Sequence, residues 1–222
     1  MRVRGLLFRD EDDALDYFVQ RDIDEMTEIE FDEQSHTYKL NGAQVPSVTQ
    51  IIKPLVKEGG SDETRDYKRQ IGKALDAAIS MNERNTLDIY GLDPAIVPFF
   101  DAWLKFKRES GFRVLLNQCI VYSKKLRFAG QLDLLGTRAE GPPVPDELLD
   151  TKCVWTMDPA TAIQTAGYDL GLRESHGIKV KKRGGVQLLR DGTYRYYPYT
   201  DPLDEQVFKS CLSILSWKRL HP

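Results

Sequence analysis

Histidine and cysteine are scarce in this chain, and neither is spaced for chemistry. The three cysteines, Cys119, Cys153 and Cys211, form no CxxC pair and no zinc-type spacing. Three thiols cannot hold a four-cysteine iron–sulfur cluster. An odd count with no signal peptide points to a reducing, cytoplasmic setting. The opening MRVRGLLFRDEDD turns acidic too soon to read as a signal peptide. The three histidines, His36, His176 and His221, have no partners at ligand spacing and read as structural or surface residues. No apolar run is long enough to span a bilayer, so no membrane partner is expected. Internal repeats and low-complexity tracts are also missing. So is a strong excess of one charge: the formal net charge is −3, and any contact with nucleic acid must use a local basic face.

What is present is enough for one good core: 222 residues, 41% of them hydrophobic. From Asp10 to Glu33 acids dominate and Arg21 is the only base. This stretch reads as a solvated amphipathic helix with Leu15, Phe18 and Val19 on its apolar side. The sharper alternative is an acidic arm that mimics DNA or covers a basic groove. Short strands follow around Ile29–Phe31 and Tyr38–Leu40, with Asn41-Gly42 as a turn. Ser47 is placed to cap a helix ending near Pro54, and Glu58 to Asp62 is a polar break. Asp62 to about Glu83 has helical periodicity. Asp93, Pro94 and Gly111 read as the cap, first residue and stop of the next helix.

After Phe112 the period becomes strand-like. FRVLLNQCIVYS and LRFAGQLDLLGTR are neighbouring strands, EGPPVPD is a surface loop, and ELLDTKCVW is a third strand. Asp158-Pro159 caps a helix reaching about Ser175. A hairpin turning at Asp191-Gly192 and a last helix from Asp204 to about Lys218 complete the chain. This order predicts an α/β domain with a central mixed sheet flanked by helices. The acidic segment at residues 1–34 packs on it, and residues 35–222 form a single domain.

Two of the most apolar strands are interrupted by acids. Asp133 breaks one; Asp150 breaks the other, with Lys152 two residues on. Residues i and i+2 of a strand share a face, so Asp150 and Lys152 lie together, and a paired neighbour brings Asp133 to the same patch. Two converging carboxylates make an oxygen-rich site for a hard divalent cation such as Mg²⁺. Lys152 beside it can hold an attacking water, with a pKa lowered by the cation and by partial burial. Taken alone, an acid and a lysine on one strand read more readily as an edge salt bridge.

The flanking residues add a pattern. Gly130-Gln131-Leu132-Asp133, Asp150-Thr151-Lys152 and Gln164-Thr165-Ala166-Gly167-Tyr168 follow one another as G-x-x-D, D-x-K and Q-x-x-x-Y. Together they resemble the PD-(D/E)XK nuclease superfamily, especially its RecB-like and phage-type exonuclease branch. HTYKLNGAQVPSVTQII also looks like the opening segment of phage-type members, so the likeness covers about Ser35 to Tyr168.

The resemblance implies a restriction-endonuclease-like core, with Asp133, Asp150 and the Cys153 backbone carbonyl as ligands of Mg²⁺ or Mn²⁺ and Lys152 as the catalytic lysine. Gln164 and Tyr168 position DNA or brace the site. Two positions depart from the pattern. Asp76 stands where many members carry a metal-binding histidine, in Gly72-Lys73-Ala74-Leu75-Asp76; an acid on an exposed helix face would look the same. Gln118 stands where members often carry glutamate.

Basic residues flank the motifs: Lys124, Lys125 and Arg127, then Lys179, Lys181, Lys182 and Arg183. They are candidates for phosphate contacts. Tyr194, Tyr196 and Tyr197 read as half-buried strand formers, with base stacking as the alternative, and Trp155 as a core residue or a wedge at a DNA end.

The expected activity is therefore a metal-dependent deoxyribonuclease, an exonuclease more readily than an endonuclease. It would leave a 5′-phosphate, act on linear duplex or single-stranded DNA, and serve phage-type recombination or DNA processing. A homo-oligomer and a phage recombination partner are compatible with that branch. Two other readings compete: an inactive nuclease-fold module that binds DNA or protein, and an interaction module using the acidic segment.

Overall fold

Asn41 and Gly42 reverse the chain at φ 51° and 74°, the left-handed pair that a tight hairpin turn demands. They join β2 (Thr37–Leu40) to β3 (Ala43–Val45), and β1 (Ile29–Asp32) pairs antiparallel with β2 from the other side. The structure, a computed structural model, describes residues 28–56, 62–141 and 143–221. The acidic stretch up to residue 27, with Leu15, Phe18 and Val19, and the break at residues 57–61 lie outside the described residues.

Ser47 opens α1 (Val48–Ile52) through a capping box: its hydroxyl accepts the Gln50 amide at 3.1 Å, and the Gln50 side chain accepts the Ser47 amide at 3.0 Å. α2 (Asp62–Glu83) buries Ile71, Leu75, Ala78 and Ile79, the stripe its periodicity marks out. α3 (Val97–Ser110) starts later than its signals suggest. Asp93 caps only a preceding turn, accepting the Ala95 amide at 2.8 Å, and Pro98 sits in the first turn of the helix proper. Gly111 ends it in the left-handed region, at φ 67°.

The main sheet is built in chain order from β4 (Arg113–Ser123), β5 (Phe128–Thr137), β6 (Glu147–Lys152), β7 (Lys182–Leu188) and β8 (Tyr194–Pro198). Neighbours are antiparallel except β6 and β7. Parallel strands need a crossover, and α4 (Ala160–Ser175) supplies it. With α5 (Leu203–Leu220) closing the chain, the fold is α/β, a mixed five-stranded sheet flanked by helices.

One face carries α1, α4 and α5 over Cys119, Val121, Leu132 and Leu148; the other carries α2 and α3 over Leu134, Leu149, Val186 and Leu188. Alternation along each strand divides its apolar residues between the two layers. Gly167 lets α4 and α5 cross closely: a Cβ there would lie 2.4 Å from the Phe208 ring. The small sheet joins the main one where Ala129 donates to Pro46 at 3.1 Å. Among the described residues no helix is long and apolar enough to cross a membrane.

Candidate active site

β6 opens on Glu147, paired with Arg138, and is then apolar up to Asp150. Leu148 and Leu149 are wholly buried, one on each face, and Asp150 follows with no exposure at all. Leu148 belongs to the α4-side layer, so Asp150 and Lys152 share that side. Lys152 Nζ lies 2.6 Å from Asp150 Oδ2, a close ion pair. Asp150 Oδ1 has no hydrogen-bond partner, and an unsatisfied buried carboxylate oxygen is costly. Across the strand pair, the Thr151 amide donates to Asp133 Oδ2 at 3.0 Å. The two acids therefore sit beside each other on paired strands.

A local irregularity of β4 lies opposite Asp133. The ladder runs from Asn117–Leu134 to Cys119–Leu132, and Gln118, facing Asp133 between them, turns to φ 51°. Its carbonyl leaves the ladder and accepts from the Gln131 side chain at 3.0 Å. Leu116 and Cys119 then face the same layer although three residues apart, and so do Leu132 and Leu135. In a regular strand such residues would point to opposite faces. A left-handed glutamine costs about 1–3 kcal/mol, of the kind concentrated at functional sites. Gly130 makes the next adjustment: a Cβ there would meet Tyr168 Cε1 at 2.8 Å and Val48 Cγ2 at 2.9 Å, so its absence lets the tyrosine ring lie against β5.

Helices on both sides complete the site. From α4, buried Tyr168 accepts from Gln164 Nε2 at 2.9 Å, one helical turn apart. The Tyr168 phenol is raised above its ordinary pKa by burial, and then by Asp133 and Asp150. From α2, half-buried Asp76 feels Asp133, Lys152 and Asp150. Burial, then repulsion from Asp133, pushes its carboxyl up to about 8 against the pull of Lys152. Burial likewise raises Asp150 to about 7, opposed by Lys152 and reinforced by Asp133. Asp133 is raised by burial, with Lys152 and the Thr151 amide opposing. Burial works against the Lys152 ammonium, but Asp150 and Asp133 overcome it and hold its pKa above the usual value. Without a cation, then, Lys152 is a firm ammonium, the reverse of the depressed group expected with metal.

Fully ionised, the three acids against one lysine would carry two uncompensated negative charges, the charge of one divalent cation, and burial resists that ionisation until a cation shares it. Among the described residues no three His, Cys, Asp or Glu side chains stand close enough to form a metal site as they are. Mg²⁺ does not require three: it is commonly held by one or two carboxylates, waters and substrate phosphates. Asp133 and Asp150, with an orphaned oxygen on Asp150, fit that pattern, and Asp76 is near enough to act through space. Cys153 follows Lys152 just past β6; its thiol is pushed up to about 12 by burial and then by Asp76.

The basic candidates divide. Lys124, Lys125 and Arg127 occupy the β4–β5 turn, with Lys124 ion-paired to Glu28. Lys181, Lys182 and Arg183 lie at the start of β7. Lys182 pairs in register with Glu147, five residues before the Lys152–Gln187 pair, roughly 17 Å along the strand. Arg183 donates to Asp204 and to the Ala162 carbonyl, both at 2.8 Å, and Lys181 pairs with Asp146 at 3.4 Å. The tyrosines behave as strand formers. Tyr194, Tyr196 and Tyr197 donate to Glu109, Glu147 and Gln187 at 2.9, 3.0 and 2.9 Å.

Trp155 is no core residue: it is 91% exposed. β6 ends at Lys152, and the buried Gln187 then holds the carbonyls of Val154 and Trp155 at 2.9 and 2.8 Å. Gln187 was legible by the signal that marked Asp150, a polar residue inside an apolar run. Tyr199 was not: its hydroxyl reaches over Gly185, the register partner of Asp150, where a Cβ would meet it at 2.3 Å.

The chain matches no known protein family and no curated protein. Among solved structures it is similar to LHK-Exo in complex with dAMP, 14% identical over 78% of this chain and 89% of that one, with a TM-score of 0.40. It is also similar to an alkaline exonuclease, LHK-Exo, from Laribacter hongkongensis, 15% identical over 80% and 93% of the two chains, with a TM-score of 0.35.

Proposed function

We propose that this protein is a metal-dependent deoxyribonuclease that hydrolyses DNA phosphodiesters, an exonuclease of phage type. The observation that carries the reading is the buried Asp150 carboxylate. It has an orphaned oxygen and lies beside Lys152, on a strand whose Thr151 amide holds Asp133. The order G-x-x-D, D-x-K, Q-x-x-x-Y along β5, β6 and α4 supports it.

Asp133 and Asp150 would hold Mg²⁺ or Mn²⁺, which when bound lowers the pKa of a water and stabilises charge on a phosphoryl oxygen. Lys152 would orient the attacking water and balance developing negative charge through its ammonium. Tyr168, fixed by Gln164 and packed on Gly130, would brace the lysine and both acids from behind. Gln118, at φ 51° on the neighbouring strand, would help seat Asp133 opposite it.

The test uses linear duplex and single-stranded DNA labelled at either end, with Mg²⁺, Mn²⁺ or EDTA. Release of label with either metal and none in EDTA is expected, and the labelled end that is lost first gives the direction. No release under any condition would leave the fold as a binding module.

A further inference from the structure

A cleft of about 680 Å³ opens between α2, the strap that follows β6, and the β7–β8 hairpin. Three cations line it: Lys68, Arg190 and Arg195. All are exposed, and none makes an ion pair among the described residues. The single acid on the wall, Asp191, is occupied with the Thr193 amide and hydroxyl. The cleft is therefore electropositive although the chain as a whole carries −3.

Trp155 lines the same cleft and is 91% exposed, yet its backbone is fixed. Gln187, wholly buried, donates to its carbonyl at 2.8 Å and in turn accepts from Tyr197 at 2.9 Å. An exposed indole on a strap whose carbonyls Gln187 holds, beside cations that make no ion pair among the described residues, is a stacking platform with phosphate contacts at hand. Tyr67 brings a second exposed ring from α2.

We infer that this cleft binds an unpaired stretch of nucleic acid strand, with Trp155 stacked on a base and Lys68, Arg190 and Arg195 on its phosphates. A duplex covers its base faces everywhere but at its ends, so away from an end an indole meets a base face only where the base is unpaired. The strap continues directly from Lys152, so Trp155 lies three residues along the chain from the proposed cleavage centre. This rests on the nuclease reading for its role, although binding can be measured without cleavage.

The experiment is fluorescence anisotropy of a labelled twelve-residue oligo(dT) with the full chain in EDTA, over a range of salt. Trp155→Ala is expected to weaken binding about 10-fold, and Trp155→Phe much less. Arg190→Ala with Arg195→Ala is expected to reduce the salt slope by about 1.4, near 0.7 for each phosphate contact. Oligo(dT) should quench the wild-type tryptophan emission and leave that of Trp155→Ala unchanged. Because Trp155 is exposed, its variants should melt with wild type. Unchanged affinity in Trp155→Ala overturns the inference, as does equal, Trp155-dependent affinity for a blunt hairpin duplex. A protein that cleaves DNA in Mg²⁺ but binds oligo(dT) without Trp155 loses the cleft and keeps the nuclease. One that cleaves nothing yet needs Trp155 to bind keeps the cleft and loses the nuclease.

Discussion

Asp150→Asn is expected to lower DNA cleavage at saturating Mg²⁺ by about 10³-fold. The amide keeps the shape of the carboxylate and removes its charge, so cation affinity falls while the packing around Leu148 and Leu149 stays. Folding changes little, because the lost Lys152 ion pair is offset by relief of repulsion between Asp150, Asp133 and Asp76. Lys152→Ala should lose activity to a similar degree for a different reason. It leaves Asp150 buried without a counter-charge, a change that costs about 3–5 kcal/mol when a buried pair is broken, so it should also melt earlier. Rates measured beside melting curves separate the two. A loss of activity in Asp150→Asn that merely tracked unfolding would remove Asp150 from the chemistry.

The second large effect is on stability against pH without metal. Asp76 and Asp150 are raised in the folded chain to about 8 and about 7, far above the ordinary carboxylate range. The folded state therefore binds more protons than the unfolded one across that interval. Their contribution is fully present below the unfolded value and is lost as pH rises through 7 and 8. Metal-free protein should melt several degrees lower at pH 8.5 than at pH 5.5, equivalent to about 1–3 kcal/mol in a chain of this size. Asp76→Asn should flatten the profile by removing one of the repelling charges. Mg²⁺ or Mn²⁺ should raise the melting temperature more at pH 8.5 than at pH 5.5, because the cation competes with those protons. Calorimetric melts in EDTA and in excess metal read both effects. A flat metal-free profile, or a metal response equal at both pH values, would contradict the shared-charge description of the site.

Much of this was legible in the sequence because it depends on neighbours along the chain. Asn41-Gly42, the Ser47 capping box and Gly111 work through local backbone geometry, and each lies where its residue type dictates. Asp150 and Lys152 share a face by strand period alone, and antiparallel pairing brings Asp133 alongside. What was not legible depends on tertiary contacts. Nothing local tells Gln118 to adopt a positive φ; the fit of β4 against Asp133 and the Gln131 side chain imposes it. For Asp76 the sequence offered only its place in Gly72-Lys73-Ala74-Leu75-Asp76; that it enters the field of the two strand acids depends on where α2 packs. Trp155 carries every mark of a core residue until Gln187 is seen holding its strap at the surface.

Whether Asp133 and Asp150 hold a divalent ion is read most directly from the electron paramagnetic resonance signal of free Mn²⁺ during a titration with protein at pH 8. Wild-type protein is expected to remove free Mn²⁺ in a saturable way, with excess Mg²⁺ releasing it and Asp150→Asn and Asp133→Asn each abolishing uptake. Uptake that is absent in wild type, or equal in all three proteins, would contradict a metal centre at these carboxylates.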